Sequence, residues 1–315
     1  IESRLVPERG FELDVIQVKG VRSSGLVRLV AAPLVVLRAM WQALGILRRR
    51  RPSLVVGMGG FATGPGGLVA RLLGVPLVIH EQNAIPGLTN RLLSRVATRV
   101  LEAFQATFPE RLAAEATGNP VRADITALAA PETRFAGRKG PLRLLVTGGS
   151  LGAQALNDLL PAAIGILPAQ QRPEVRHQAG RGRADATRAA YAAAGVEADV
   201  TEFIADMAKA LGWADVVICR SGALTVSELA SAGVGAVLVP YPYAVDDHQT
   251  ANARVLSRAG AAVVFQQADL TAQQLAGWLG AKDREGLREM AVKARGCATP
   301  GAAERVAGIC EEVMA

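Results

Sequence analysis

The sequence predicts an α/β protein of two domains with parallel sheets. Short apolar runs rich in Val, Leu and Ile recur along the chain, each followed by a small-residue break and a helical stretch. Examples are PSLVVGMGG, PLVIHEQN, LRLLVTGGS and ADVVICRSG. A chain of 315 residues is too long for one ordinary hydrophobic core. Strands that alternate with helices form parallel sheets, and their ligands bind where the strands end.

Two groups of strand–helix units are separated by the stretch TALAAPETRFAGRKGP. Its small residues, prolines and mixed charge are typical of an interdomain linker. We therefore expect a first domain over residues 1–125, a linker over residues 126–141 and a second domain over residues 142–298. Residues 299–315 are expected to form a C-terminal helix.

The composition limits the class of protein and of partner. Half of the residues are hydrophobic and 20% are charged, which indicates a folded globular protein. The three cysteines lack metal-ligand spacing, which favours a reducing cytoplasm without disulfides or zinc. A net charge of +7 favours an anionic partner, which can be nucleic acid, an anionic membrane or a phosphorylated substrate. Only 4% of residues are aromatic, so stacking platforms for single-stranded nucleic acid are scarce.

Three glycine-rich turns are candidate phosphate sites. GMGGFATGPGG, VTGGSLGA and SGALTVSE each follow a strand-like run and open a helix, where free N–H groups attract phosphate oxygens. The alternative for each is a tight turn that only needs the backbone freedom of Gly. In the third turn, Thr225 and Glu228 fit a capping box. The carboxylate of Glu228 can also bind two adjacent ribose hydroxyls.

Polar residues follow two further strands. Asp246, Asp247 and His248 resemble metal ligands, but a loop entering a helix often carries Asp as a cap. Because Gln249 and Asn252 suit neutral sugar hydroxyls, we prefer sugar recognition to metal binding here.

The motif HEQN offers His80 and Glu81 as candidates for a general base. The alternative is a hydrogen-bonded loop that only shapes the site. Arg122, in GNPVR, either counters a phosphate or is a solvated Arg near the linker.

The stretch LVRLVAAPLVVLRAMWQALGILRRRR, residues 26–51, mixes apolar and cationic residues. Part of its apolar set must pack on its own sheet. A helix with an apolar face and cationic ends can also lie on an anionic bilayer, so we expect peripheral membrane contact.

In their order along nearly the whole chain, GMGGFATGPGG, HEQN, GNPVR, GGSLGA, CRSGALTVSE and DHQTANA resemble the MurG family. These bacterial transferases add N-acetylglucosamine from UDP-N-acetylglucosamine to lipid I, giving lipid II for peptidoglycan. The resemblance implies a GT-B fold, in which two Rossmann-like domains face a cleft and the last helix crosses back to the first domain. It also implies a peripheral position on the anionic cytoplasmic face of the inner membrane. Nucleic acid, a cofactor and a protein-bound metal are not expected.

The resemblance also assigns roles to residues of this chain. It implies that the second domain binds the donor, with Ser150 near the phosphates, Ile204 by the uracil, Glu228 on the ribose and Gln249 on the sugar. The full set of implied donor residues is Asn83, Arg122, Ser150, Ile204, Ala223, Leu224, Thr225, Val226, Ser227, Glu228, Gln249 and Asn252. The implied acceptor-side loop contains Gly59, Gly60, Thr63 and Gly64.

One departure from the family concerns the first loop. The family begins with a strand and a Gly-Gly-Thr-Gly-Gly-His loop that carries a candidate general base, and no equivalent precedes Ile1. We therefore expect an incomplete first domain and assign no catalytic base. The expected reaction is an inverting transfer to the C4 hydroxyl of N-acetylmuramic acid. The alternatives are another GT-B glycolipid transferase, a UDP-sugar epimerase, and a basic non-catalytic protein that binds membranes or nucleic acid.

Overall fold

The chain forms two compact units, each with its own parallel sheet. The computed structural model describes residues 2–16, 26–149 and 152–315. Unit 1 comprises residues 1–82, 86–117 and 304–315, and unit 2 comprises residues 83–85 and 118–303.

Unit 1 contains a four-stranded sheet in the order β1-β2-β3-β4, in which every pair is parallel. Its strands are β1 (Val55–Gly57), β2 (Leu77–Glu81), β3 (Arg99–Glu102) and β4 (Glu115–Ala116). Its first four helices are α1 (Glu2–Glu8), α2 (Leu26–Arg50), α3 (Thr63–Leu72) and α4 (Leu88–Leu93). Side chains alternate along a strand, so Leu77 and Ile79 of β2 pack with Leu93 and Phe108, while Val78 faces the other way.

Unit 2 contains a six-stranded parallel sheet in the order β10-β9-β8-β5-β6-β7. The strands are β5 (Arg143–Thr147), β6 (Glu174–Gln178), β7 (Asp199–Thr201), β8 (Val216–Cys219), β9 (Gly235–Leu238) and β10 (Ala262–Val264). The helices are α5 (Ala123–Thr126), α6 (Pro131–Phe135), α7 (Gln154–Ile166), α8 (Ala184–Ala193), α9 (Met207–Trp213), α10 (Ala223–Ala232), α11 (His248–Arg258), α12 (Ala272–Gly280) and α13 (Arg284–Gly296). Short 3₁₀ turns occur at Glu110–Leu112 in unit 1 and at Ala169–Gln171 and Val245–Asp247 in unit 2.

The strand order of unit 2 reverses between β5 and β8. The chain runs from β5 outward through β6 and β7, then returns to pair β8 with the other side of β5. In a doubly wound sheet, this switch point leaves a crevice at the carboxyl ends of the two central strands. The predicted α/β class with two parallel sheets is confirmed.

The last helix, α14 (Ala302–Met314), supplies part of the core of unit 1. Its residues Val306 and Ile309 pack on Val78 and Leu101 of the sheet. This face of the sheet is therefore covered by residues that follow the whole of unit 2 in the chain.

Residues 126–141, predicted to be a linker, lie within unit 2. Helix α6 lies inside this stretch, and Phe135 is buried in the core of unit 2. The Arg134 guanidinium donates to the carbonyls of Ala232 and Gly233, at 2.7 and 2.5 Å. Arg134, one of the charged residues of this stretch, therefore holds it against the rest of unit 2.

Within the described parts of the chain, no helix combines the length and the apolar character that crossing a membrane requires.

Candidate functional site

A cavity of about 870 Å³ opens at the switch point of the unit 2 sheet. The turn after β5 and the turn after β8 both line it, because their strands are neighbours with Thr147 in register with Cys219. The cavity is of the size that takes a drug-sized or nucleotide-sized ligand. Its lining includes Arg122, Thr147, Gly148, Gly149, Gly152, Gln178, Arg183, Phe203, Ile204, Arg220, Gly222, Thr225, Glu228, Tyr241, Gln249 and Gln267.

The glycine turn after β5 is packed tightly against the neighbouring backbone. Gly152 has φ +71°, and a Cβ built on it would lie 2.1 Å from the carbonyl oxygen of Ala179. A Cβ on Gly148 would lie 2.2 Å from the backbone nitrogen of Ala153. Side chains are therefore excluded at both positions, and Gly148, Gly149 and Gly152 line the cavity with their backbone. The predicted phosphate ligand Ser150 lies outside the described residues.

The start of α10 lies at the second turn. Gly222 is the N-cap, and it has no side chain to accept a hydrogen bond from the first N–H groups of this helix. The predicted capping box of Thr225 and Glu228 is therefore wrong, because the helix begins at Ala223 and both residues lie inside it. Their spacing of three places them on one helix face, and both line the cavity.

Glu228 pairs with Arg122 at the cavity wall. The Arg122 Nη2 lies 3.5 Å from the Glu228 Oε1, and the two side chains are 50% and 25% exposed. Desolvation by burial raises the pKa of Glu228, and the nearby Asp124 adds to this while Arg122 opposes it. The pair therefore combines a cation and a carboxylate acceptor beside the two glycine turns.

Arg220, in the motif CRSG, is a cavity residue that was not predicted. Its guanidinium donates to the carbonyls of Val239 and Pro240 at 3.1 Å and to the Gln267 Oε1 at 2.6 Å. It also lies over the Tyr241 ring, 5.5 Å from the centroid. Its position directly after the fully buried strand β8, at a carboxyl end, is the signal that identifies it.

Ile204 and Gln249, two of the implied donor residues, both line the cavity. The exposed Phe203 adds an aromatic surface beside Ile204 and was not predicted. The Gln249 Oε1 accepts from the Tyr241 N–H at 2.8 Å, which fixes the amide at one end.

Six of the implied donor residues, all within the described part of the chain, do not line the cavity. Asn252 is fully buried, and its amide accepts from the Ala84 N–H at 2.8 Å and donates to the Asn83 Oδ1 at 3.1 Å and to the Ser221 carbonyl at 3.2 Å. The structure therefore gives Asn252 the role of holding residues 83–84 and the turn after β8. Those outside the cavity lining are Asn83, Ala223, Leu224, Val226, Ser227 and Asn252.

In unit 1, the predicted acceptor-side loop is shorter than its glycine content indicated. Gly59 and Gly60 have φ of +82° and +79° and form the turn after β1. Thr63 already begins α3 and donates its hydroxyl to the Gly59 carbonyl, so Gly64 is helical rather than part of a loop. The loop proper therefore spans only residues 58–62.

The candidate bases His80 and Glu81 are buried in β2, with 0% and 3% exposure. The Glu81 Oε2 accepts from the Gly87 N–H at 3.0 Å and from the Asn90 Nδ2 at 2.9 Å. This arrangement matches the loop-shaping alternative, since neither side chain is exposed to a substrate hydroxyl.

Among the described residues, no three His, Cys, Asp or Glu side chains are grouped closely enough to hold a metal ion. Asp246 and Asp247 both have positive φ, at 53° and 50°, and lie in the turn that leads into α11.

Comparison with known proteins identifies the family. The glycosyltransferase family 28 N-terminal domain matches residues 1–102, and the C-terminal domain of the same family matches residues 143–306. The chain is similar to the UDP-N-acetylglucosamine–N-acetylmuramyl-(pentapeptide) pyrophosphoryl-undecaprenol N-acetylglucosamine transferase of Ralstonia nicotianae. The two are 55% identical over 98% of this chain and 85% of the relative. The corresponding protein of Paracidovorax citrulli is 53% identical over 100% of this chain and 88% of the relative.

Among solved structures, the crystal structure of Acinetobacter baumannii MurG matches with a TM-score of 0.85 and 44% identity. The match covers 99% of this chain and 88% of that one. A UDP-N-acetylglucosamine 2-epimerase from Neisseria meningitidis, at 10% identity and a TM-score of 0.64, covers 98% of this chain and 88% of its own and shares the fold alone. The chain belongs to glycosyltransferase family 28, within the MurG family of UDP-N-acetylglucosamine-dependent hexosyltransferases.

Proposed function

We propose that the chain transfers N-acetylglucosamine from UDP-N-acetylglucosamine to lipid I, giving lipid II, and that the unit 2 cavity holds the donor. One observation carries the assignment of the site. Two glycine turns at helix starts, a carboxylate and three arginines line a single cavity of about 870 Å³ at the sheet switch point. This combination provides groups for each part of a nucleoside diphosphate sugar.

In this proposal the diphosphate lies against the turn at Gly148 and Gly149 and against the start of α10 at Gly222. Backbone N–H groups and the positive end of the helix macrodipole stabilise phosphate oxygens at both places. Arg122 and Arg220 add positive charge from the cavity wall. The same groups stabilise the diphosphate as it leaves, when its negative charge increases.

The nucleoside and the sugar take opposite ends of the site. Glu228 accepts hydrogen bonds from the ribose hydroxyls, and the uracil lies by Phe203 and Ile204. Gln249 binds the hydroxyls of N-acetylglucosamine. Its amide oxygen is held by the Tyr241 N–H, and its NH₂ group remains for donation to the sugar.

The reaction is an inverting transfer. The C4 hydroxyl of N-acetylmuramic acid attacks the anomeric carbon of the donor, the new glycosidic bond forms, and UDP departs with the electrons of the broken bond. The attacking hydroxyl gives its proton to a base to which we assign no residue, since His80 and Glu81 are buried. The turn at Gly59 and Gly60 is proposed to contact the acceptor.

Helix α2 is proposed to bind the cytoplasmic face of the membrane peripherally. Leu34, Leu37 and Trp41 are 71%, 59% and 76% exposed, while Ala39 and Ala43 are buried. Between Leu34 and Ala43, α2 therefore carries an exposed apolar face as well as its buried residues. At the cationic end of α2, Arg49 pairs with Asp14, and Arg50 pairs with Glu12 and Asp14. These ion pairs reduce the positive charge that is available to anionic lipids.

Calorimetric titration with UDP-N-acetylglucosamine, UDP-N-acetylgalactosamine and UDP-glucose tests the donor site. We expect saturable binding that favours the first. Transfer of labelled N-acetylglucosamine to lipid I tests the reaction, and conversion of the donor without lipid would instead indicate an epimerase. A folded chain that binds none of the three nucleotides would refute the assignment of the cavity.

A further inference from the structure

A chain of buried hydrogen bonds lies directly behind the glycine turn of the cavity. It begins at the Tyr191 hydroxyl on α8, which lies 2.9 Å from the His177 Nδ1 on β6. The His177 Nε2 lies 3.0 Å from the Asn157 Oδ1 on α7, and the Asn157 Nδ2 donates to the Ala179 carbonyl at 3.0 Å. Tyr191, His177 and Asn157 are 1%, 1% and 2% exposed.

The direction of each hydrogen bond follows from its partners. The Ala179 carbonyl can only accept, so the Asn157 amide directs its NH₂ group there and its oxygen to His177. His177 therefore carries its proton on Nε2, and its Nδ1 accepts from the Tyr191 hydroxyl. Burial lowers the pKa of His177 to about 4, so this neutral form persists at physiological pH.

The series of hydrogen bonds ends at the Ala179 carbonyl oxygen, which packs against the glycine turn. The Ala179 oxygen is the group that a Cβ on Gly152 would approach to 2.1 Å. Gly152 packs on this carbonyl, and α7 starts two residues later. A shift of Ala179 therefore shifts the backbone that faces the cavity at Gly148 and Gly149.

The three elements that the chain of hydrogen bonds connects also carry cavity residues. Gln178 follows His177 on β6, Arg183 is the N-cap of α8, and Gln154 begins α7. The chain of hydrogen bonds thus links three parts of the cavity wall from behind, without lining the cavity itself.

We propose that Asn157, His177 and Tyr191 are positioning residues for the donor diphosphate. The proposal rests on the proposed donor site. In it, the hydrogen bonds of these three residues support phosphate binding as well as folding. It predicts that disrupting the network weakens the diphosphate contribution to affinity and spares the nucleoside contribution.

The test compares UDP with uridine on the full chain. For Asn157→Ala, which removes both buried hydrogen bonds of the amide, we expect the Kd for UDP to rise about tenfold, while the Kd for uridine stays within about twofold. With the donor and lipid I, KM for UDP-N-acetylglucosamine should rise by more than kcat falls.

Leu160→Ala is the matched control. Leu160 is fully buried on the same helix, and its apolar side chain takes no part in the hydrogen bonds to His177 and Ala179. It should lower Tm as Asn157→Ala does, while the ratio of the UDP and uridine affinities remains that of the unmodified chain. If Asn157→Ala does not fold, Tyr191→Phe tests the same proposal, because this variant keeps the ring and removes only the hydroxyl that bonds to His177. For Tyr191→Phe we expect the UDP Kd to rise about threefold.

Unchanged UDP affinity in both variants, or an equal loss for UDP and uridine, would overturn the positioning role. Failure of the unmodified chain to bind UDP would refute the donor site itself, so the two failures are distinguishable.

Discussion

The guanidinium of Arg122 lies 3.5 Å from the carboxylate of Glu228, and both side chains line the same cavity. The pair is formed between the segment before α5 and the second turn of α10. An Arg beside a carboxylate can bind a phosphate while leaving the carboxylate oxygens available to sugar hydroxyls. In the function proposed above, the pair therefore serves both a phosphate and a ribose from one wall of the cavity.

Replacing Glu228 with Gln should weaken UDP binding. The variant loses one charged acceptor for the ribose hydroxyls, so we expect the Kd for UDP to rise about tenfold. Glu132→Gln, on the exposed face of α6, is the control and should leave the Kd unchanged. An unaltered Kd for Glu228→Gln in calorimetry would remove Glu228 from the site.

The affinity for UDP should also depend on pH through Glu228. Burial raises the pKa of this carboxyl, so it takes up a proton at a higher pH than an ordinary Glu. Protonation removes a hydroxyl acceptor, and the UDP affinity should fall as the pH decreases through this raised pKa. The Glu228→Gln variant should show a flatter profile over the same range, and identical profiles would contradict the assignment.

Gln249→Ala should reduce discrimination among donors. Because its amide is proposed to read the sugar, the preference for UDP-N-acetylglucosamine over UDP-glucose should fall while the Kd for UDP stays constant. Competition binding measures both quantities. Gln273→Ala, at an exposed position on α12, provides the control. Equal losses for UDP and for the nucleotide sugars would instead place Gln249 at the nucleotide.

Trp41→Ser should weaken binding to anionic vesicles. Trp41 is 76% exposed on α2, and transferring its ring from water to lipid is favourable, so the partition coefficient should fall about tenfold. Cosedimentation with phosphatidylglycerol and phosphatidylcholine vesicles measures this. Phe203→Ser is a reciprocal control, since it should weaken UDP binding and leave vesicle binding intact. Equal vesicle binding by the Trp41→Ser variant and the unmodified chain would argue against α2 as the membrane surface.

His177 should make the stability of the protein pH-dependent. Its pKa is lowered to about 4 in the folded chain, while an unfolded His titrates near its ordinary value of 6.5. The unfolded chain therefore binds the extra proton first, and the stabilisation present above pH 6.5 is lost as the pH falls toward 4. The loss attributable to this group is about 3 kcal/mol. Denaturant unfolding of His177→Gln should show a smaller decrease over this interval than the unmodified chain. Parallel decreases would exclude His177 as the cause.

Asp215→Ala should be strongly destabilising. Asp215 is fully buried, pairs with Arg138 and with the Arg284 Nε at 3.2 Å, and accepts from the Arg143 N–H at 3.0 Å. Removing it leaves buried positive charge uncompensated, which costs about 3–5 kcal/mol. Asp185→Ala removes an exposed ion pair and should cost less than about 1 kcal/mol in the same unfolding experiment. A loss for Asp215→Ala no larger than that of the control would show that solvent reaches this cluster.

The fold class could be predicted from the sequence because the pattern of strands is local. Each buried parallel strand is a short apolar run, and the break that follows it marks the edge of the sheet where ligands bind. The local pattern alone therefore places Thr225, Glu228 and Gln249 beside such breaks. The strand order, which brings the turns after β5 and β8 together, depends on pairing between distant segments and has no local signal in the sequence.

The errors have physical causes that composition cannot reveal. Thr225 and Glu228 fit a capping box, yet the N-cap is Gly222, three residues before Thr225. Gly is tolerated there because a helix with Gly at its N-cap is only slightly less stable than one with a side-chain acceptor. The resemblance implies that Gly64 belongs to the acceptor-side loop, but α3 includes it. Asn252 has the chemistry of a sugar ligand, and its burial against Ala84 and Ser221 depends on residues far away in the sequence.

The packing of α14 on the unit 1 sheet has a consequence for synthesis on the ribosome. Val78 and Leu101 are translated well before their packing partners Val306 and Ile309. At about 5–20 residues per second, the intervening stretch takes roughly 10–40 s to translate. Unit 2, most of which is continuous in sequence, can fold during that interval while one apolar face of unit 1 stays uncovered. A nascent chain is thus exposed to aggregation and to chaperone binding at the unit 1 sheet until α14 has been translated.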